Sequence, residues 1–170
     1  DGVSLRVYRD CNGKLDVFVQ HESFSGRNGL YVDENRCDYV DNFERFALFC
    51  RAAIAYCGSL DPTPDIIHCN DWQTALIPAM LEASPWGQVL SSRTVFTVHN
   101  LAFQGLFPAE QLGLAGLDPL VYNVEGFEYY GQANLLKGGI AYCDAFTTVS
   151  PTYAQEIQTS EQGMGLDGFI

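Results

Sequence analysis

The sequence predicts an α/β domain built on a short parallel sheet, and three observations carry that expectation. Runs rich in β-branched and aromatic residues lie at 66–69, 94–98 and 145–149, and each stops at polar residues. None of the three alternates cleanly, which is how a strand covered on both faces reads. Helix-length segments separate them, and strand–helix–strand alternation at this spacing calls for right-handed crossovers. In an open parallel sheet the carboxyl ends of the strands line one crevice, where ligands bind. Asp71, His99 and Ser150, which follow the three runs, are therefore expected at one shared cleft.

Taken in order, residues 3–9 and 15–20 alternate loosely around Asn12-Gly13, a good hairpin dipeptide. They are expected to pair antiparallel, alone or at the edge of the main sheet. Residues 21–38 carry no periodicity and read as a loop packed on the domain through Phe24, Arg27, Leu30 and Tyr31. Residues 41–57 form the clearest helix. Asp41 is placed to cap it, Glu44 to reciprocate and Gly58 to stop it. Phe43, Phe46, Ala47, Cys50, Ala53, Ile54 and Cys57 make its apolar stripe.

The run at 66–69 leads through Asn70-Asp71 into a helix over 72–83, in which Pro78 is expected to cause a kink. A polar loop over 84–93 returns the chain to the second run. Residues 106–125 are a long connection rich in Gly and Pro, of the kind that is usually functional or mobile. Residues 131–142 are expected to be helical, with Gly138-Gly139 marking close packing against a neighbour. Ser150 is placed to cap a last helix that has Pro151 at its first position.

Composition excludes several functions. The 170 residues fit one domain spanning 1–170, and no apolar run approaches the ~18 residues of a membrane span. A net charge of −12 with nine scattered Lys and Arg argues against nucleic-acid binding. The same charge makes it hard for this chain alone to hold a ligand's phosphates. Six widely spaced cysteines, several at predicted core positions and with no C-x-x-C pair, read as a reduced, intracellular protein with buried thiols rather than a disulfide scaffold or a zinc site. The chain starts at Asp1 rather than Met and reads as a piece of something longer.

Three stretches offer chemistry. His68-Cys69-Asn70-Asp71 is a poor metal site, since successive strand residues face opposite ways and nothing nearby completes a shell. His68 is better read as a buried histidine bonded to neighbouring backbone. Asp71, at the strand-to-helix turn, suits a helix cap, a ligand hydroxyl, or both. His99-Asn100 suits hydroxyl binding or the orientation of its own loop. Asp71, His99 and Ser150 together raise a serine hydrolase, but no Gly-x-Ser-x-Gly elbow is present and Ser150 before Pro151 reads as a cap. Nor is there a glycine-rich phosphate loop of either standard spacing.

Longer blocks carry a resemblance. Residues 65–78 (Asp-Ile-Ile-His-Cys-Asn-Asp-Trp-Gln-Thr-Ala-Leu-Ile-Pro), 94–107 (Thr-Val-Phe-Thr-Val-His-Asn-Leu-Ala-Phe-Gln-Gly-Leu-Phe) and 130–140 (Tyr-Gly-Gln-Ala-Asn-Leu-Leu-Lys-Gly-Gly-Ile) resemble the bacterial-type glycogen synthases and plant starch synthases. So do residues 147–157 (Thr-Thr-Val-Ser-Pro-Thr-Tyr-Ala-Gln-Glu-Ile), residues 165–168 and the spaced His21, Phe24, Arg27, Gly29, Leu30 and Tyr31. The resemblance spans nearly the whole chain in order. It implies a GT-B glycosyltransferase, with this chain as a single partial, acceptor-side Rossmann-like domain that lacks its first strand and the second domain. The implied reaction is retaining transfer of glucose from ADP-glucose or UDP-glucose to the non-reducing end of an α-1,4-glucan, with no metal and no cofactor. The implied location is the cytoplasm, or the plastid stroma in a plant or alga.

By position, Asp71 and His99 match family active-site residues near the transferred glucose, and Asn100 and Gln104 match the adjoining substrate-binding loop. Residues 1–170 do not include the Lys-Gly-Gly loop that the family carries near its N-terminus, nor the second domain that supplies most of the nucleotide site and the phosphate-binding Arg and Lys. Residues 1–170 alone are therefore expected to be inactive and to need that C-terminal domain as partner. Phe103 stands where Tyr is common, and Cys69-Asn70 stand where His is common second. The alternative from another class is a non-catalytic glucan-binding or scaffold module of the same fold.

Overall fold

The computed structural model describes residues 2–85 and 90–170. Strands β1 (Ser4–Arg9) and β2 (Leu15–Gln20) pair antiparallel as a hairpin. It forms its own two-stranded sheet, apart from the edge of the main one. Asp10 shapes the turn, its Oδ1 accepting from the amides of Asn12 and Lys14 at 2.8 Å each.

The main sheet holds β3 (Ile66–Asn70), β4 (Arg93–Val98) and β8 (Ala145–Thr148), side by side in that order and all parallel. The order grows in one direction, so right-handed crossovers bring both connecting helices onto the same face. These are α2 (Leu76–Ala83) and α3 (Leu135–Tyr142), which pack on each other. They cover the face that carries Cys69, Phe96 and Val98, all at or below 1% exposed. The opposite face differs from expectation. Ile66 and Val149 on it are 58% and 55% exposed, so their apolar character reflects sheet positions that these helices do not cover.

His68 lies on that open face and is exposed. Its Nε2 meets the Thr97 hydroxyl at 2.7 Å, and Thr97 meets the Thr147 hydroxyl at 2.6 Å. A side-chain ladder across three strands thus replaces the buried, backbone-bonded histidine predicted for this position.

Helix α1 (Asn42–Gly58) buries Phe43, Phe46, Ala47, Cys50 and Ile54 as the periodicity requires, with Ala53 and Cys57 partly buried against the core. Its ends depart from the expected caps. The Asp41 side chain makes no capping bond, because its two oxygens accept from the Arg27 guanidinium. Gly58 is the last helical residue, and Ser59 follows as the cap. The stripe also hides Asn42 and Arg45 at 3% and 2% exposed. Asn42 Nδ2 donates to the Tyr31 carbonyl at 2.9 Å, and Arg45 donates to the Leu30 carbonyl at 2.7 Å. These bonds fasten the 21–41 loop to the first turn of α1. Phe24 and Tyr31 pack on Phe46, whereas the Leu30 side chain is exposed.

The helix predicted over 72–83 is broken, but not at Pro78. A 3-10 turn at Trp72–Thr74 precedes α2, which starts at Leu76. Pro78 therefore falls in the first turn, where amides have no helical partner and a missing N–H costs little. Of the loop expected over 84–93, residues 86–89 lie outside the described residues.

The long connection after β4 is structured by a second small sheet. Strands β5 (Leu106–Phe107), β6 (Glu128–Tyr129) and β7 (Gln132–Asn134) pair antiparallel in the order β5-β7-β6. Tyr130 and Gly131, both at positive φ, form the two-residue turn between β6 and β7. Two short 3-10 segments, Ala109–Ala115 and Pro119–Val121, fill most of the rest.

The helix predicted over 131–142 shrinks to α3, since its first residues are spent on this turn and strand. Asn134 caps α3 by accepting from the Lys137 amide. The glycine pair behaves as expected. A Cβ on Gly139 would lie 2.7 Å from the Phe96 ring, and one on Gly138 would enter the Phe127 ring. Helix α4 (Pro151–Glu156) is capped by Ser150, which accepts from the Tyr153 amide at 3.0 Å. No helix among the described residues is long and apolar enough to cross a membrane.

Candidate active site

The three parallel strands deliver Asp71, His99 and Ser150 to one edge of the sheet, and two of them meet there. Asp71 follows β3 with φ 57° and ψ −179°, a conformation that is essentially reserved for glycine. Its neighbours over-determine it. The Asp71 amide donates to the Thr97 carbonyl at 2.9 Å, and the Asp71 carbonyl accepts from the Thr74 amide at 3.2 Å. Thr74 Oγ1 donates to the Asn70 carbonyl at 2.8 Å and accepts from the Asn70 amide at 2.6 Å.

This strained backbone aims the Asp71 carboxylate at His99. Asp71 makes no capping bond, so the helix-cap reading of this residue fails. Instead Oδ1 accepts from the His99 amide at 2.8 Å, and Oδ2 meets His99 Nδ1 at 3.0 Å. A carboxylate only accepts, so Nδ1 carries a proton.

Asn100 bends the next loop, its Oδ1 accepting from the Ala102 amide at 3.0 Å. Ser150 is taken up by capping and joins neither residue, which removes the hydrolase arrangement. Helix α4 still supports the site, since the Tyr153 hydroxyl accepts from the Leu101 amide at 2.9 Å.

A cavity of about 810 Å³ opens beside this edge. Asp71, Asn100 and Gln104 line it together with Tyr31, Trp72 and Tyr129. His99 is not part of that wall and acts on it through Asp71. The floor is aromatic, with Trp72 centred among Phe46 at 4.8 Å, Phe107 at 5.7 Å and Tyr31 at 5.9 Å. Among the described residues the wall holds no Lys or Arg. Phe103 and Tyr130 stand at 65% and 85% exposed.

Gln104 is 9% exposed and its amide is engaged at both ends. Oε1 accepts from Asn134 Nδ2 at 2.5 Å, and Nε2 donates to the Met164 carbonyl at 3.0 Å. The Tyr129 hydroxyl donates to the same carbonyl at 2.8 Å. Burial raises the Tyr129 phenol, with Tyr130 and Asp167 adding to the shift and a hydrogen bond from Gln104 opposing it. Sequence reasoning missed Tyr129 and Met164 as parts of this wall, and Asn134 behind it. The one available signal was Asn134 itself, a capping residue directly before Leu135-Leu136.

Among the described residues no group of three or more His, Cys, Asp or Glu is placed to hold a metal ion. The cysteines are all free thiols. Burial pushes Cys69 up to about 12 and raises Cys50, Cys57 and Cys143 as well.

Comparison with known proteins gives this geometry a context. The family model described as the starch synthase catalytic domain matches residues 3–170. A glycogen synthase of Syntrophotalea carbinolica is 44% identical, the match covering 99% of this chain and 36% of that protein. One of Granulibacter bethesdensis is 53% identical over 84% of this chain and 30% of its own length. The catalytic domain of starch synthase IV from Arabidopsis thaliana, bound to ADP and acarbose, superposes with a TM-score of 0.84 at 35% identity. That superposition covers 98% of this chain and 34% of the plant domain. The chain spans about a third of the length of the curated relatives it matches.

Proposed function

We propose that this chain, which belongs to the starch synthase catalytic-domain family, is the acceptor-side, Rossmann-like part of a retaining GT-B glucosyltransferase. In this reading, residues 1–170 form one partial domain, and a further α/β domain of the same polypeptide supplies the rest of the site. The donor is ADP-glucose or UDP-glucose, and the acceptor is the non-reducing end of an α-1,4-glucan. The reaction belongs in the cytoplasm of a bacterium or in a plastid stroma.

The observation that carries this reading is the strained Asp71 locked to His99 at the edge of a cavity lined by aromatic rings and amides. Breaking a glycosyl–phosphate bond builds positive charge on the sugar ring and negative charge on the leaving phosphate. A fixed carboxylate stabilises the first, and its placement before reaction is what makes such a group effective. Asn100 and Gln104 are suited to sugar hydroxyls, and flat aromatic surfaces such as Tyr31 and Trp72 are suited to sugar faces. A wall that holds no Lys or Arg among the described residues leaves the second charge to another domain, which also fits so acidic a chain.

The test compares two polypeptides in transfer of labelled glucose from ADP-glucose to glycogen. Residues 1–170 alone are expected to transfer none, and the longer polypeptide is expected to extend the glucan with retention of the α configuration. Transfer by residues 1–170 alone overturns the division of the site, and no transfer by the longer polypeptide overturns the enzymatic reading.

A further inference from the structure

We propose that Asn134 is a positioning residue for the cavity wall, acting through an amide relay that runs from the start of α3 through Gln104 to the Met164 carbonyl. The relay's direction is fixed at both ends by backbone groups that have no choice of role. At one end the Lys137 amide can only donate, so the Asn134 atom facing it at 3.0 Å is Oδ1. Nδ2 then faces Gln104, and the Gln104 atom that receives it is Oε1. That turns Gln104 Nε2 toward the Met164 carbonyl, which can only accept. Neither amide can flip without setting like groups against each other.

The small sheet assembles these parts. Asn134 ends β7 and pairs with Leu106 of β5, two residues after Gln104, while Tyr129 ends β6 on the other side of β7. Backbone bonds run the same way, with the Leu136 amide donating to the Gln104 carbonyl and the Leu135 amide to the Gly105 carbonyl, each at 3.0 Å. Asn134 is 0% exposed and also donates its own amide to the Phe127 carbonyl at 2.9 Å. It is thus held from three directions before it touches Gln104.

The far end needs holding. Met164 has φ 50°, a left-handed conformation that an unbranched side chain adopts only at a cost. Met164 lines the cavity and is 46% exposed, so packing alone does not fix it. Both lone pairs of its carbonyl are engaged, one by Gln104 and one by Tyr129. Asn134 therefore governs, at two steps' remove, how the turn at 163–166 borders the cavity. This places a residue outside the cavity wall in control of that wall's shape.

Hydrogen exchange on residues 1–170 tests the relay, with affinity for a linear maltooligosaccharide as a second readout. Asn134→Ser keeps a capping oxygen for α3 but cannot reach Gln104. Asn134→Asp keeps the cap and turns an acceptor toward Gln104, which reverses the amide and sets its oxygen against the Met164 carbonyl. In both variants, exchange in residues 159–170 is expected to rise roughly five- to tenfold, the effect of losing about one net hydrogen bond. Exchange in residues 135–142 is expected to stay as in the parent. Unchanged exchange at 159–170 overturns the relay and leaves Asn134 as a cap.

If both segments loosen together, Gln104→Leu decides, because it leaves the cap intact. Loosening at 159–170 alone then supports the relay, and silence there overturns it. Only the sugar readout rests on the function proposed above, where weaker maltoheptaose binding in the variants is expected. A parent chain that binds no maltooligosaccharide while the exchange pattern holds counts against that function and leaves the relay standing.

Discussion

The carboxylate of Asp71 accepts twice from one residue, taking the His99 amide at 2.8 Å and His99 Nδ1 at 3.0 Å. Two contacts at different points of one residue fix the carboxylate plane and the imidazole tautomer together. Asp71→Asn keeps an oxygen for the His99 amide but presents an NH₂ group to Nδ1. The ring must then move its proton to Nε2. Nitrogen NMR of His99 in residues 1–170 is expected to record that switch. In the longer polypeptide, turnover is expected to fall roughly 10²–10³-fold, the usual worth of a fixed electrostatic group, with the melting temperature nearly unchanged. Near-normal turnover with a switched tautomer would remove Asp71 from the chemistry.

The thiols sort by exposure and by proton affinity. Cys11 and Cys37 are exposed, while Cys50 and Cys69 are buried with their thiols held far from the thiolate form. A disulfide exchange reagent at pH 8 is expected to label Cys11 and Cys37 within the mixing phase and Cys57 and Cys143 more slowly. Cys50 and Cys69 are expected to react only when denaturant opens the fold, since the thiolate is the nucleophile. Fast labelling of Cys69 in the native state would show that β3 opens without global unfolding.

The main sheet was legible because strand runs and their polar stops are local signals. Asp71 and His99 were readable for the same reason, as the residues that follow β3 and β4. The shared cleft was not: only Asp71 of the three residues expected there lines the cavity, and Ser150 lines another. What failed was information held in partners far along the chain. Asp41 looks like a cap until Arg27, fourteen residues earlier, takes its carboxylate. His68 looks buried until the sheet order leaves its face open. Asn134 and Gln104 stand thirty residues apart, and only the pairing of β5 with β7 shows that their amides touch. Pro78 misled for a local reason, because the 3-10 turn at Trp72–Thr74 moves the start of the helix past the point that periodicity suggests.

Asp144 links the start of β8 to the start of β4 and gives the sheet a pH dependence. Its carboxylate accepts from the Thr94 amide at 2.7 Å, from the Thr94 hydroxyl at 3.1 Å and from Arg93. The Thr94 amide and the Arg93 guanidinium hold its carboxyl below the ordinary value of 3.8. Its contribution is therefore present above pH 3.8 and is lost as the pH falls through the lowered folded value. Asp144 is exposed, so after solvent screening Asp144→Asn is expected to cost about 0.5–1 kcal/mol near pH 7, a drop of roughly 1–4 °C in melting temperature. The gap between parent and variant should narrow steadily below pH 4. A gap that stays constant down to pH 3 would mean the effect is packing rather than charge.

Gly105 turns the chain from the Asn100 loop into β5, and two separate constraints reserve the position for glycine. Its φ is +63°, and a Cβ there would lie 2.8 Å from Trp72 Cε3 and 2.9 Å from Trp72 Cδ2. The Trp72 ring cannot retreat easily, because Phe46, Phe107 and Tyr31 hold its other sides. Gly105→Ala therefore meets a backbone term of about 1–2 kcal/mol and a crowding term of about 1–3 kcal/mol. Gly116 isolates the first of these. Its φ is +78° with nothing within 4 Å of where a methyl group would sit, so Gly116→Ala should cost the backbone term alone. Denaturant unfolding of both variants gives the difference directly. A larger loss at Gly105, with a shifted tryptophan emission that reports the displaced Trp72, is the expected result. Equal losses at the two glycines would mean that the aromatic floor of the cavity yields to a methyl group, and that its shape is set by the loop above rather than by Trp72.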